Sequence, residues 1–215
     1  MNLQDLPSPL WVLGTGTGVG KTFVAARIAR AWAALGPVEY RKPFQTGVAD
    51  PEDPDADAPV VRGPGIQVAT GIVLRAPLSP LAAAEQEGVT LDLEALAHWT
   101  TRPAAAGSRL LLEAAGGVLV PLAPGRHFLA WATDFHIPCV VVARGDLGTL
   151  NHALLTSEAL MVRGWRVAAL ILNPGLDGSF AAAAENARIL AKFLPFPVHL
   201  LESAPHAHPA PLPLD

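Results

Sequence analysis

A chain of 215 residues that is 51% hydrophobic and 16% charged can bury a sizeable core, and its length suits one domain. Its formal net charge of -4, with Lys and Arg scattered along the chain, leaves no basic track for a nucleic-acid backbone. No apolar run reaches about 18 residues, and Asp5 precedes the first basic residue, Lys21, so no membrane span or signal peptide is expected and the expected location is cytoplasmic.

The run LWVL (10–13) lacks strict alternation and reads as a strand covered on both faces. It leads into GTGTGVGKT (14–22). Apolar residues at helical spacing over 21–35 then stop at Gly36-Pro37. VEYRKP (38–43) is a weaker strand signal, and the acidic, Pro-rich stretch 48–65 reads as a long functional loop with one helical turn. RLLLE (109–113), PCVVVA (138–143) and VAALILN (167–173) are further buried strands, with helices expected at 149–163 and 179–194 and a weaker strand at 196–201. The single cysteine, Cys139, lies in an apolar run and reads as a structural thiol. The sequence SAPHAHPAPLPLD carries too many prolines for regular structure, so the expected division is one domain over 1–203 and a Pro/His-rich tail over 204–215.

Alternation of strand and helix predicts an α/β protein, a mostly parallel sheet flanked by helices on both faces. The glycine loop narrows this to a P-loop NTPase fold. Five residues separate Gly14 from Gly20, one more than the standard motif, so the loop is a lengthened variant. Its physical logic survives, because glycines let backbone N–H groups turn inward and a helix opens with its positive dipole end toward the phosphates. Gly16, Thr17, Gly18, Val19 and Gly20 would cradle the phosphates. Lys21 would reach the outer ones, and Thr22 would offer its hydroxyl to Mg²⁺. The third glycine of a dinucleotide fingerprint is missing from either starting register.

Glu113 closes a buried strand on the side where α/β sheets bind ligands, and it reads either as a metal ligand or as a helix cap or the ion-pair partner of an arginine. Asp57, by residue type and loop alone, reads as a solvated charge. Lys42 ends a strand before Pro43, and Gly47 after Thr46 marks a tight turn, so Lys42 and Thr46 can face one ligand. A lysine there is either solvated or placed to stabilise transferred charge.

Taken in order, GTGTGVGKT, KPFQTG, DADA, PLSPLAAAEQEG, LLEAAGG, ARGDLGTLNHALLT and ILNP resemble the dethiobiotin synthetases across nearly the whole chain. The resemblance implies an ATP-dependent cyclo-ligase that takes 7,8-diaminononanoate and CO₂ or bicarbonate to dethiobiotin, ADP and phosphate. Its intermediates would be an N-carbamate and a carbamic-phosphoric mixed anhydride. By position, it assigns Lys21, Lys42 and Thr46 to catalysis, and Thr22, Asp57 and Glu113 to Mg²⁺. Thr17, Lys42 and Thr46 would meet the diamine, while Leu147, Gly148, Thr149 and Asn151 would hold its far carboxylate at the contact of a homodimer. Asn173 would read adenine and Pro205 would flank it.

The chain departs from the family pattern at Gly16 and Gly18, where many or some members carry acids, at Ala114, where glycine is usual, and at Asp146 before LGT. Two rivals share this kind of loop. An amide ligase of the cobyrinic acid type usually adds a glutamine-hydrolysing domain, for which the chain has no room. An ATPase switch of the chromosome- or septum-positioning kind carries a loop lysine where Gly16 stands.

Overall fold

The computed structural model describes residues 1–175 and 179–201. Strand β1, Leu10–Gly14, is buried throughout, with Leu10 and Val12 on one face of the sheet and Trp11 and Leu13 on the other. The glycine loop joins it to α1, Lys21–Ala33, followed by β2, Val38–Thr46. A short helix α2, Asp57–Val61, interrupts the acidic loop before β3, Ile66–Leu74. Next come α3, Pro80–Glu87, and α4, Leu93–Thr101, then β4, Arg109–Glu113. A small antiparallel pair, β5 (Pro121–Ala123) and β6 (Arg126–His127), precedes α5, Phe128–Ala132. The remainder alternates: β7 (Cys139–Arg144), α6 (Thr149–Val162), β8 (Val167–Asn173), α7 (Phe180–Leu190) and β9 (Val198–Leu200).

The strands of the main sheet lie in the order β3-β2-β4-β1-β7-β8-β9, and every pairing is parallel. β1 is therefore central, and the chain leaves it toward one edge through β2 and fills the other through β7, β8 and β9. Such a reversal opens a crevice at the carboxyl ends of the strands. Helices α1 and α2 bury Val24, Ile28, Trp32, Ala58 and Val61 on one face, whereas α4, α5 and α6 cover the other with Leu96, Phe128, Trp131 and Leu160. The second layer is aromatic at its centre. Trp131 meets Phe44 edge-on at 5.4 Å and Phe135 at 4.9 Å between ring centroids, and its indole N–H donates to the Leu93 carbonyl.

Several elements differ from the sequence expectation. β2 runs on through Pro43 to Thr46, because β3 pairs with it along its whole length and supplies bonds beyond the end of β4. β3 itself, at the sheet edge, is only partly buried between its ends and interrupts its apolar pattern with Thr70 and Gly71, which removes the sequence signal. Gly71 is required there: a side chain would stand 2.7 Å from the Pro43 carbonyl. α7 stops at Leu190 because the next residues tighten into a turn in which Phe193 N–H donates to Leu190 O.

Candidate active site

The glycine loop leaves the carboxyl end of β1 and closes at Gly20, whose φ of +95° puts it in the left-handed region open chiefly to glycine. No side chain caps α1, so its first amides remain available to an anion in the crevice. The Lys21 side chain folds back and donates to the Gly16 carbonyl at 2.7 Å. Burial, followed by the nearby charge of Lys42, lowers the Lys21 pKa to about 8. The loop is tied to β8 as well. Asn173 donates from Nδ2 to Val19 O at 3.1 Å, and its Oδ1 accepts from Gly175 N–H. Each amide atom keeps one further bonding position.

Beside the loop, two strands and two helices bring their polar groups together. The single hydroxyl proton of Thr22 on α1 is shared between Asp57 Oδ1 at 2.6 Å and Glu113 Oε1 at 2.9 Å. Lys42 on β2 pairs with Asp57 and donates to Glu113 Oε1 at 2.7 Å. Glu113 is fully buried at the end of β4, so a charge there requires these partners. Burial opposes the charge on Lys42, but Glu113 and Asp57 outweigh it and hold its pKa above the ordinary lysine value. Asp57, a solvated charge by residue type, opens α2 and is drawn into this cluster, where Gln45 accepts its backbone N–H at 3.2 Å.

These groups line a cavity of about 620 Å³. Thr17, Lys21, Lys42, Thr46 and Glu113 all reach it, and Pro77, Leu78, Ser79 and Pro80 form a rim. A second cavity of about 460 Å³ shares Thr17, Gly116 and Val120 with the first and is walled by His152, Leu155, Thr156 and Ala159 of α6. Gly16 opens on the second cavity. Leu147, Gly148, Thr149 and Asn151 line neither: Leu147 and Asn151 are exposed, Gly148 precedes α6, and the Thr149 hydroxyl donates to the Arg144 carbonyl. Pro205 lies outside the described residues.

The oxygen donors Thr22, Asp57 and Glu113 suit a hard cation such as Mg²⁺. Among the described residues, no group of three or more His, Cys, Asp or Glu could hold a metal ion by itself. Ala114 is buried, and its N–H donates to Val12 O, so its methyl packs in the core without entering the cavity. The Asp146 side chain is exposed. Cys139 is buried and burial raises its thiol pKa, which leaves it inert. The sequence reading passed over Tyr40 and Gln45. Their signal lay in position: Tyr40 stands two residues before Lys42 and shares its face of the strand.

A parallel sheet with a glycine loop at the end of its central strand, opening a helix with Lys-Thr, defines a P-loop NTPase fold. The model of a family described as an AAA domain matches residues 9–201. Over 192 residues the chain is 36% identical to an ATP-dependent dethiobiotin synthetase of Paramagnetospirillum magneticum, covering 87% of this chain and 88% of that protein. A dethiobiotin synthetase of Anaeromyxobacter dehalogenans is 39% identical over 188 residues, 84% of each chain. A ParA family ATPase from Chlorobium tepidum superposes with a TM-score of 0.56 at 14% identity, covering 91% of this chain and 84% of that one, and shares the fold alone. The chain belongs to the ATP-dependent dethiobiotin synthetase family and is an enzyme of the ATP-dependent ligase class.

Proposed function

We propose that this protein carboxylates 7,8-diaminononanoate with CO₂ and closes the ureido ring at the expense of ATP, giving dethiobiotin, ADP and phosphate. The observation that carries this reading is Lys42, held by two carboxylates in the same cavity as Lys21 and Thr46. A neutral amine of the diamine attacks CO₂ and releases a proton, leaving an N-carbamate. A carbamate oxygen then takes the γ-phosphoryl group while ADP leaves, and the second amine attacks the mixed anhydride carbon, closing the ring and expelling phosphate. Little covalent work falls to the protein, whose task is to align two anions and neutralise them.

Lys21 contacts the phosphates and the carbamate, and Lys42 the carbamate and the transferred group. Thr17 and Thr46 position the reacting end of the diamine. Gly16, Gly18, Val19 and Gly20 cradle the phosphates, with Asn173 and Pro205 at adenine. Thr22, Asp57 and Glu113 would hold Mg²⁺, which when bound neutralises phosphate charge. The protein acts in the cytoplasm as a homodimer, with one domain over 1–203 and a tail over 204–215. The dimer puts Leu147, Gly148, Thr149 and Asn151 of one protomer at the far carboxylate of the substrate. Exposed Leu119, Leu147, Leu155 and Val162 support an apolar contact there. Among the described residues, no helix is long and apolar enough to cross a membrane.

The test is ADP release with Mg²⁺, ATP and bicarbonate, with and without 7,8-diaminononanoate, the product being identified by mass. Release that requires the diamine and gives the cyclic urea is the expected result. Release indifferent to the diamine overturns the substrate assignment.

A further inference from the structure

Glu113 binds its neighbours asymmetrically. Oε1 takes both the Thr22 hydroxyl at 2.9 Å and the Lys42 ammonium at 2.7 Å, whereas Oε2 accepts from the Tyr40 hydroxyl at 2.9 Å. Tyr40 is fully buried among Val12, Ile28 and Leu111 on the α1 face of the sheet. A phenylalanine would fill that space equally well, so the hydroxyl needs a separate explanation.

We infer that Tyr40 is a positioning residue: its hydroxyl anchors Glu113 Oε2 so that Oε1 stays turned toward Thr22 and Asp57, where the metal would be held. The inference rests on the reading of Glu113 as a metal ligand. A carboxylate attached to its strand by a flexible side chain has many ways to turn, and an unpaired oxygen in an apolar layer would favour turning it. β2 supplies both constraints from one face, Lys42 on the inner oxygen and Tyr40 on the outer one. Partners of this kind, which orient a ligand without touching the metal, typically alter metal affinity by about 10–100-fold when removed.

The test compares Tyr40→Phe with Glu113→Gln by Mn²⁺ binding, read by electron paramagnetic resonance in the presence of a non-hydrolysable ATP analogue. Tyr40→Phe is expected to bind Mn²⁺ about ten-fold or more weakly, to regain kcat as Mg²⁺ is raised, and to keep its KM for the diamine. Wild-type Mn²⁺ affinity in Tyr40→Phe overturns the inference, as does a loss of turnover that excess Mg²⁺ fails to relieve. If Glu113→Gln itself keeps wild-type affinity, the metal reading fails and takes the inference with it. If Glu113→Gln loses Mn²⁺ while Tyr40→Phe does not, only the role of Tyr40 falls. Urea unfolding of the metal-free proteins keeps the question open to test should Tyr40→Phe be unstable. In a Glu113→Leu background, which offers the hydroxyl no acceptor, Tyr40→Phe is expected to cost no further stability, and an undiminished cost there means the hydroxyl serves some other partner.

Discussion

Lys42 holds two anions together in the buried cluster, and its replacement separates structure from chemistry. Lys42→Gln is expected to lower turnover by at least about a hundred-fold, the scale for losing a positioned charge at a reacting centre, while ATP binding, which rests on the glycine loop, persists. The same change leaves Glu113 and Asp57 without the cation that bridges them, so the metal-free variant should lose about 3 kcal/mol of stability. Equilibrium urea unfolding with and without Mg²⁺·ATP checks this, since recovery is expected only with the metal nucleotide. Lys21 behaves differently. Its folded pKa of about 8 lies below the ordinary value of 10.5, so between these values the unfolded chain binds more protons. Its contribution to stability therefore rises with pH through that window, and below it the buried charge is a cost. Bound phosphate favours the charged form. Nucleotide binding at about pH 8.5 should then take up protons, and affinity should fall as pH rises above about 8. Calorimetric titration in two buffers of different ionisation enthalpy measures this uptake, and pH-independent binding from about 7 to 9 contradicts it.

Among the elements, β2 carries the most constraints, and its opposite faces hold different things. Tyr40 and Lys42 turn toward Glu113, while Arg41, fully buried, turns to the end of α4. There it donates to the carbonyls of Trp99, Thr100 and Arg102, at 3.2, 3.0 and 2.7 Å, and pairs with Glu39 at 2.8 Å. The last carbonyls of a helix lack internal partners, and a guanidinium with several donors satisfies them together. Arg41→Met would leave those carbonyls without their donor and strip Glu39 of its nearer cation, with only Arg102 left at 3.4 Å. A loss of about 3–5 kcal/mol is expected, measured by urea unfolding. The loop also has a strict requirement. Gly20→Ala would place a side chain at φ +95° and against the Asn173 amide, which now ties the loop to β8. The backbone cost alone is about 1–2 kcal/mol, and weaker nucleotide binding should accompany the lost tie. Equilibrium unfolding and nucleotide titration of the variant check both.

At the scale of the molecule, the second cavity and the exposed leucines of α6 and its neighbours bear on assembly. If the proposed homodimer forms through this face, Leu155→Glu puts a charge into an apolar contact. It should weaken association by about ten-fold or more and raise KM for the diamine with it. Sedimentation across a concentration series reads the first effect and steady-state kinetics the second; an unchanged dimer would place the contact elsewhere. The central strands, their order of appearance and the helix after the loop were legible in the sequence because each carries its signal locally. Buried parallel strands are continuous apolar runs, and glycines followed by Lys-Thr have a narrow physical use. The edge strand β3 and helices α3 and α4 were not legible. β3 is only partly apolar and acquires its form by pairing with β2, while the last two are helices of only eight and nine residues, too short to carry a long periodic signal.

The sequence by itself determined the fold class, the phosphate loop, and the lysines and glutamate with charges to place. Only the tertiary structure decided which charges meet. Thr22 and Asp57 are 35 positions apart in the chain and Lys42 and Glu113 are 71, and no local pattern encodes contacts across such separations. Glu113 cannot stand buried without cations and donors, yet nothing near it in sequence supplies them. Parallel pairing of β2 with β4 brings Lys42 and Tyr40 to its two oxygens, and the helix opened by the loop adds Thr22. The desolvation of that one carboxylate, satisfied by three side chains from two other elements, is the physical reason the site exists only in the folded chain.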